Sequence, residues 1–444
     1  MSSNEDLQVL SLNCWGLAFI SKYRKLRLQA IAHSLSSCSY DIITLQEVWV
    51  QEDYQYILDK VKHALPYAKY FYSGALGSGL AILSRYPIIS TAYHRYALNG
   101  KPLKLLHSDY YVGKGCGTAV VKHPALGYLE IFNTHLHAGY GPKDQYKAHR
   151  ASECWQLAYL LRHSAAMGRH IIMSGDFNSV PTSFNYKLIH QHGFMSDSWF
   201  QVHGEPDIDK FDMDNMTPES YTQFFGFTCN SPFNTFSRYY SPCNNDNAKK
   251  LLGKRLDYIF YRQTPQLTCI DSQVVFTDLM QGEMSYSDHF GVVSIFKVTS
   301  PESSEWKKHM DPLQIQLCDP SFTRLQFNTI CDILQALKLD KVKAKKDAHW
   351  LLRLLAVGVL VQLCLFVAVV AVPTLLPQSL VIILVIVFGN TLMNLVSFAL
   401  PVCLIVGFVF GSTEQRALTQ FIEEIETFQA QQQKEEENYL ISIP

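Results

Sequence analysis

From Leu354 to Thr413 the chain carries no Asp, Glu, Lys or Arg. Soluble domains rarely keep so long a stretch free of charge, because little of their chain is buried on every side. Within the tract, Leu354–Val372 and Leu380–Phe410 are mostly apolar, with Pro401 near the end of the second. A membrane-spanning helix needs about 20 such residues. The tract is therefore read as two transmembrane helices, about residues 351–372 and 380–410. The tight turn Pro373-Thr374-Leu375-Leu376-Pro377-Gln378-Ser379 joins them. A buried core hairpin is the competing reading, and the length disfavours it.

The flanks set an expected orientation. Lys338, Lys341, Lys343, Lys345, Lys346 and Arg353 cluster before the first span, while the turn has no basic residue. The positive-inside rule then puts both termini in the cytosol. The expected location is an intracellular membrane (endoplasmic reticulum, Golgi or nuclear envelope) or the plasma membrane, crossed twice. The same lysines either touch anionic headgroups or form a solvated linker. Met1 to Gln8 is polar and acidic, so a cleaved secretory signal is not expected. The 11 cysteines include no CxxC pair, which argues for reduced thiols rather than a disulfide scaffold or a thiolate zinc site. A net charge of −1 excludes a generally basic nucleic-acid binder, and no nucleic-acid partner is expected. Charged residues are 17% of the chain, and even outside the tract their share stays below that of ordinary soluble domains. A lipid-facing apolar patch on the soluble part would account for that remainder.

Residues 1–298 are long enough for one substantial core. Short runs rich in Ile, Val, Tyr and Phe read as buried strands: Val9–Leu12, Ile42–Leu45, Leu80–Leu83, Thr118–Val121, Leu129–Phe132, Ile171–Met173, Tyr258–Tyr261 and Val292–Phe296. Helical periodicity lies between some of them, at Leu26–Leu35, Tyr54–Ala64 and Tyr146–Arg162. The class is α/β with two packed sheets. Residues 201–250 read as long loops. The expected division is a catalytic domain over 1–298, a juxtamembrane linker over 299–349, the helix pair over 350–411 and a cytosolic tail over 412–444. Leu325, Ile330, Ile333, Leu334 and Leu337 would form an amphipathic helix inside the linker, and the tail reads as a short helix with a loose end.

Six expected strands or strand-like runs end in polar residues suited to catalysis. They are Leu12-Asn13-Cys14-Trp15, Leu45-Gln46-Glu47-Val48-Trp49, Asn133-Thr134-His135-Leu136-His137, Ser174-Gly175-Asp176-Phe177-Asn178, Arg255-Leu256-Asp257-Tyr258 and Ser287-Asp288-His289-Phe290. Each alone has a dull explanation: a surface carboxylate, an Asx-turn or a structural histidine. Six together, on strand ends that can share one sheet edge, make a site. Carboxylate and amide oxygens suit a hard ion such as Mg²⁺, with Glu47 as anchor and Asn13 beside it. His289 fits a general base whose tautomer Asp257 holds. His135 and Asn178 fit donors to developing phosphorane charge. The chemistry is phosphodiester hydrolysis.

The motif order resembles the endonuclease/exonuclease/phosphatase superfamily, related to DNase I. With the C-terminal hairpin, the motifs look like the neutral sphingomyelinase family, of the sphingomyelin phosphodiesterase 2 type. That resemblance implies a DNase I-like two-sheet α/β sandwich followed by a C-terminal two-helix transmembrane hairpin. It implies Mg²⁺-dependent cleavage of sphingomyelin to ceramide and phosphocholine. By motif, Glu47 would bind the metal and His289 accept the proton. Asp176 and Asn178 would handle water and phosphate, Asn178 would also recognise substrate, and His135 would steady the transition state. The family's Asp–Lys switch, five residues apart in a glycine-bearing loop, would fall on Asp109 and Lys114. Asp288 has two readings, as an orienter of His289 or as a group near the metal. Trp15, Trp49 or Tyr110 would offer rings to a choline group. The alternatives are the same chemistry on a lysophospholipid or a phosphoinositide, and a catalytically silent membrane scaffold.

Overall fold

In the computed structural model, residues 6–37, 39–107, 109–140, 144–207, 217–240, 252–299, 325–375 and 380–441 are described. Residues 300–324 of the linker and 376–379 of the turn lie outside this set. The strands of the first half are β1 (Leu7–Asn13), β2 (Ile42–Gln46), β3 (Tyr67–Tyr70), β4 (Ala81–Ser84), β5 (Ile88–Arg95), β6 (Gly115–His123) and β7 (Gly127–His135). They continue as β8 (His170–Asp176), β9 (Ser196–Asp197), β10 (Asp257–Tyr261), β11 (Leu267–Val275), β12 (Leu279–Met280), β13 (Met284–Ser285) and β14 (Gly291–Val298). One sheet runs β11-β14-β1-β2-β4-β3, the other β5-β6-β7-β8-β10-β9, and β12 pairs with β13.

The eight apolar runs are the four central strands of each sheet. The other four strands of these two sheets, β3, β5, β9 and β11, are their four edges. An edge strand has one neighbour and a partly wetted face, so it needs no continuous apolar stretch. β5 is the extreme case, exposed along most of its length.

Alternation within strands builds two cores. Leu7, Val9, Ile42 and Ile82 face the other sheet and meet Val121, Leu129, Ile131, Ile172 and Ile259. Leu10, Leu12, Ile43 and Leu45 face outward, beneath Leu28, Ile31 and Leu35 of α1 (Arg24–Ser36) and Ile57 of α2 (Gln51–Val61). Burying each such side chain is worth roughly 1.5–3 kcal/mol over leaving it exposed. After the one-turn α3 (Asp109–Val112) comes α4 (Lys147–Ala166), the third helix expected from periodicity.

Register gathers the site. β1 and β2 run parallel with Asn13 opposite Gln46. β7 and β8 run parallel with His135 opposite Asp176. β10 returns antiparallel with Asp257 opposite Asp176. Polar contacts pin the sheets together at this end. Gln46 donates to Asn133 Oδ1 at 2.8 Å, and the Asn133 amide donates to the Leu45 and Ala81 carbonyls, each at 2.9 Å.

Residues 201–250 are not loops throughout. Pro218–Phe225 is a helix capped by Thr217, while 208–216 and 241–250 lie outside the described residues. The chain forms two compact units, 1–329 and 330–444. Helix Phe327–Leu375 begins well ahead of the apolar segment, so the later part of the stretch read as linker is helical. Leu380–Leu404 is the second apolar helix, and both are long and apolar enough to cross a membrane. Gly411–Ile441 is a 31-residue helix, longer than the short one expected for the tail.

Candidate active site

Every residue singled out in the strand-end motifs falls at one edge of the two sheets. Asn13, buried at the end of β1, bridges the sheets: its Nδ2 lies 3.1 Å from Glu47 Oε1 and 3.1 Å from Asp176 Oδ2. Its own Oδ1 accepts from Trp15 N at 3.0 Å. Trp15, Glu47 and Asn178 have φ of 47°, 57° and 45°, each just beyond a strand that ends at the site. Non-glycine residues rarely hold this conformation, and such strain collects at functional sites. Gly175 answers the same crowding with φ 143°: a Cβ there would lie 1.9 Å from the Thr134 carbonyl oxygen.

His289 Nδ1 donates to Asp257 Oδ2 at 2.8 Å, and its Nε2 lies 3.8 Å from Asp176 Oδ2. Burial works to lower the His289 pKa, but Asp257, then Cys229 and Asp176, outweigh it and raise it well above the ordinary range. Asp257 also accepts from Thr228 Oγ1 at 2.6 Å. Because Asp257 occupies Nδ1, Asp288 is not the group that orients this ring. Burial first, with Glu47 adding to it and His289 and Arg27 opposing it, raises the Asp288 pKa. His135 lies on the other side, with Nε2 3.5 Å from Asp176 Oδ2. Burial, then Lys114 and His289, push its pKa well down, which keeps it neutral. Its Nδ1 is buried with no protein partner.

The Leu136 peptide ties a second set of groups together. Its carbonyl accepts from Lys114 Nζ at 2.8 Å and from Asn178 Nδ2 at 3.0 Å. Its N–H donates to the Asp176 carbonyl at 2.9 Å. Asn178 N donates to Asp176 Oδ1 at 2.8 Å, the Asx-turn foreseen for this motif. Lys114 pairs with Asp109 Oδ1 at 3.1 Å, and both side chains are buried. His137, next in line, gives its N–H to Glu153 Oε2 and accepts from Arg150 Nη1 at its carbonyl, each at 3.0 Å.

Four important residues escaped the sequence. Arg27, buried in α1, donates to the carbonyls of Cys14, Trp15 and Tyr286, and covers one face of the Trp15 ring at 4.6 Å. Thr228 holds Asp257 from the stretch read as loops, and Arg150 and Glu153 look like ordinary helix residues. No local signal marks any of them.

The site suits a hard cation. Asp176, Asp257 and His289 offer ligand atoms within 4.8 Å of one another, but His289 Nδ1 and Asp257 Oδ2 are engaged with each other, so the oxygens open to a cation are those of Asp176 and of Glu47, which Asn13 joins. Asp257 Oδ1 is buried without a partner. Burial, then Asp257, raises the Asp176 pKa, against His289, the Asn178 N–H and Lys114, which lower it.

The Endonuclease/Exonuclease/phosphatase family model matches residues 10–289, from the start of β1 to His289. The chain belongs to this family. Across 95% of its length it is 34% identical to inositol phosphosphingolipids phospholipase C of Schizosaccharomyces pombe, covering 93% of that protein. It is 35% identical to sphingomyelin phosphodiesterase 2 of Homo sapiens over 44% of this chain and 46% of that one. The family resemblance to neutral sphingomyelinases read from the motifs is met in relatives of that name over part of the chain, while the whole-chain match is to the inositol phosphosphingolipids enzyme. Among solved structures, sphingomyelinase C from Streptomyces griseocarneus is 15% identical and covers 66% of this chain and 99% of its own, with TM-score 0.45.

Proposed function

We propose that the chain is a membrane-anchored, Mg²⁺-dependent phosphodiesterase that cleaves phosphosphingolipids in the manner of a phospholipase C. From sphingomyelin it yields ceramide and phosphocholine. The carrying observation is the His289–Asp257 pair set beside Asp176 and the Glu47–Asn13 bridge. Glu47 and Asn13 would hold the metal, whose chemistry is to polarise a phosphoryl oxygen and offset leaving-group charge.

The chain's own groups do the rest. His289 takes the proton of the attacking water at Nε2, and the proton affinity lent by Asp257 makes it a strong base. Asp176 and the Asn178 amide place water and phosphate. Neutral His135 donates to developing negative charge, and Lys114, held on the Leu136 carbonyl, supplies fixed positive charge. The apolar helices would hold the chain at the membrane that carries its substrate, with both termini cytosolic.

A second substrate reading has its own support. The relative matched over nearly the whole chain is named for inositol phosphosphingolipids, which share the ceramide phosphodiester and differ only in the headgroup. The test is a release assay on sphingomyelin, inositol phosphosphingolipid, lysophosphatidylcholine and a phosphoinositide, each with Mg²⁺ or with EDTA. Release of phosphocholine from sphingomyelin, abolished by EDTA, is expected. Release that ignores EDTA removes the metal from the mechanism. Release from no lipid leaves a scaffold.

A further inference from the structure

Among the described residues, the two most exposed large apolar side chains are Phe19 and Leu106, at 102% and 95%. They are barer than any described apolar side chain on the two apolar helices, and Ile20 and Leu105 beside them are 68% and 67% exposed. Water penalises such side chains, and on an ordinary soluble surface they occur singly.

Topology places both pairs at the catalytic edge. Residues 16–26 follow Trp15, which Asn13 holds at the end of β1. Residues 96–114 join β5 to β6, whose Cys116 pairs with Thr134 beside His135. Within that loop, Leu106 lies three residues before Asp109, the partner of Lys114. Both segments are also basic. Residues 16–26 contain Lys22, Arg24 and Lys25 and no acid, and the loop 96–114 contains Lys101, Lys104 and Lys114 with one acid, Asp109, which is paired with Lys114. Lys22, Lys25 and Lys104 are exposed, whereas Arg24 is engaged with Asp53. Apolar tips flanked by lysines are the composition of a segment that enters the headgroup layer of an anionic bilayer.

We propose that Phe19–Ile20 and Leu105–Leu106 are two insertion tips that dock the catalytic edge on an anionic lipid bilayer. This rests on the lipid phosphodiesterase reading for its substrate but makes a claim about the surface alone. The tips enter the acyl boundary, Lys22, Lys25 and Lys104 lie in the headgroups, and the site mouth between the segments meets the substrate phosphate without the lipid leaving the membrane.

The test uses the full chain reconstituted in vesicles of phosphatidylcholine, phosphatidylserine and sphingomyelin. The quadruple variant Phe19→Ser, Ile20→Ser, Leu105→Ser, Leu106→Ser should lose at least tenfold in turnover on vesicle sphingomyelin. Its turnover of a water-soluble chromogenic phosphocholine ester should match the parent's, which also shows that it folds. Separately, Phe19→Trp and Leu106→Trp in vesicles of brominated phosphatidylcholine should each be quenched more than the parent, which has six tryptophans. Unchanged vesicle turnover by the quadruple variant, or no added quenching, overturns the proposal. Quenching without hydrolysis of any substrate by the parent upholds the docking surface and defeats the substrate reading instead.

Discussion

His289 Nδ1 lies 2.8 Å from Asp257 Oδ2, on strand ends brought together only by the fold, and this pairing sets the proton affinity of the proposed base. Asp257 is the main group raising the His289 pKa against burial. Asp257→Asn removes that charge, so His289 loses its proton at lower pH. The rising limb of the pH–rate profile should move to lower pH, while the limiting rate falls by about 10²–10⁴-fold as the base weakens and its tautomer is freed. A limb that stays in place would show that another group titrates in the rate.

The Asn13 bridge ties the proposed metal anchor Glu47 to Asp176. Glu47→Gln should weaken Mn²⁺ binding, measured by electron paramagnetic resonance, and raise the Mg²⁺ needed for half-maximal activity by tenfold or more. Asn13→Ala should act in the same direction by about 10–100-fold, since it removes one proposed holder of the metal and frees Glu47 from its hydrogen bond. Unaltered Mn²⁺ affinity in both variants would move the metal elsewhere.

Glu153 is buried in α4, and burial raises its pKa from 4.5 to about 7, partly countered by the His137 N–H and by Lys114 and Arg150. The folded protein therefore binds this proton more tightly than the unfolded chain. The associated stability is complete below 4.5 and is lost as pH rises through about 7. Glu153→Gln keeps an acceptor for His137 N and cannot ionise. Its melting temperature should equal the parent's near pH 4 and exceed it at pH 8. Parallel curves across that window would show that Glu153 does not titrate there.

Gly175 is the one residue between Ser174 and Asp176 that can hold φ 143° against the Thr134 carbonyl. Gly175→Ala should cost about 3 kcal/mol or more through strain and forced separation of β7 and β8. Thermal unfolding would read this as a large fall in melting temperature. Gly127→Ala, where φ is also positive but nothing lies within 4 Å, should cost much less.

The central strands were readable because each is buried on both faces, and its apolar run is a local property of the chain. The edges were not: β5 is mostly exposed and β9 has two residues, so neither leaves a periodic trace. In the candidate site, Asn13, Glu47, His135, Asp176, Asn178, Asp257 and His289 were legible because each ends a readable strand or follows one closely. The Asp257–His289 and Glu47–Asn13 pairings were legible too, whereas the contact of Asn13 with Asp176, across 163 positions of sequence, was not.

By itself, then, the sequence determined two materials, a charge-free tract of membrane-spanning length and an α/β domain whose strand ends carry phosphodiesterase chemistry. Both follow from short-range pattern, which hydrophobic burial reads directly. Tertiary structure alone decided which groups hold which. Arg27 reaches the Tyr286 carbonyl across 259 positions, Thr228 secures Asp257, and one Leu136 carbonyl gathers Lys114 and Asn178. It also decided that two lysine-flanked apolar tips share the catalytic edge. Such contacts depend on register and packing between distant segments, and no local pattern in the chain encodes them.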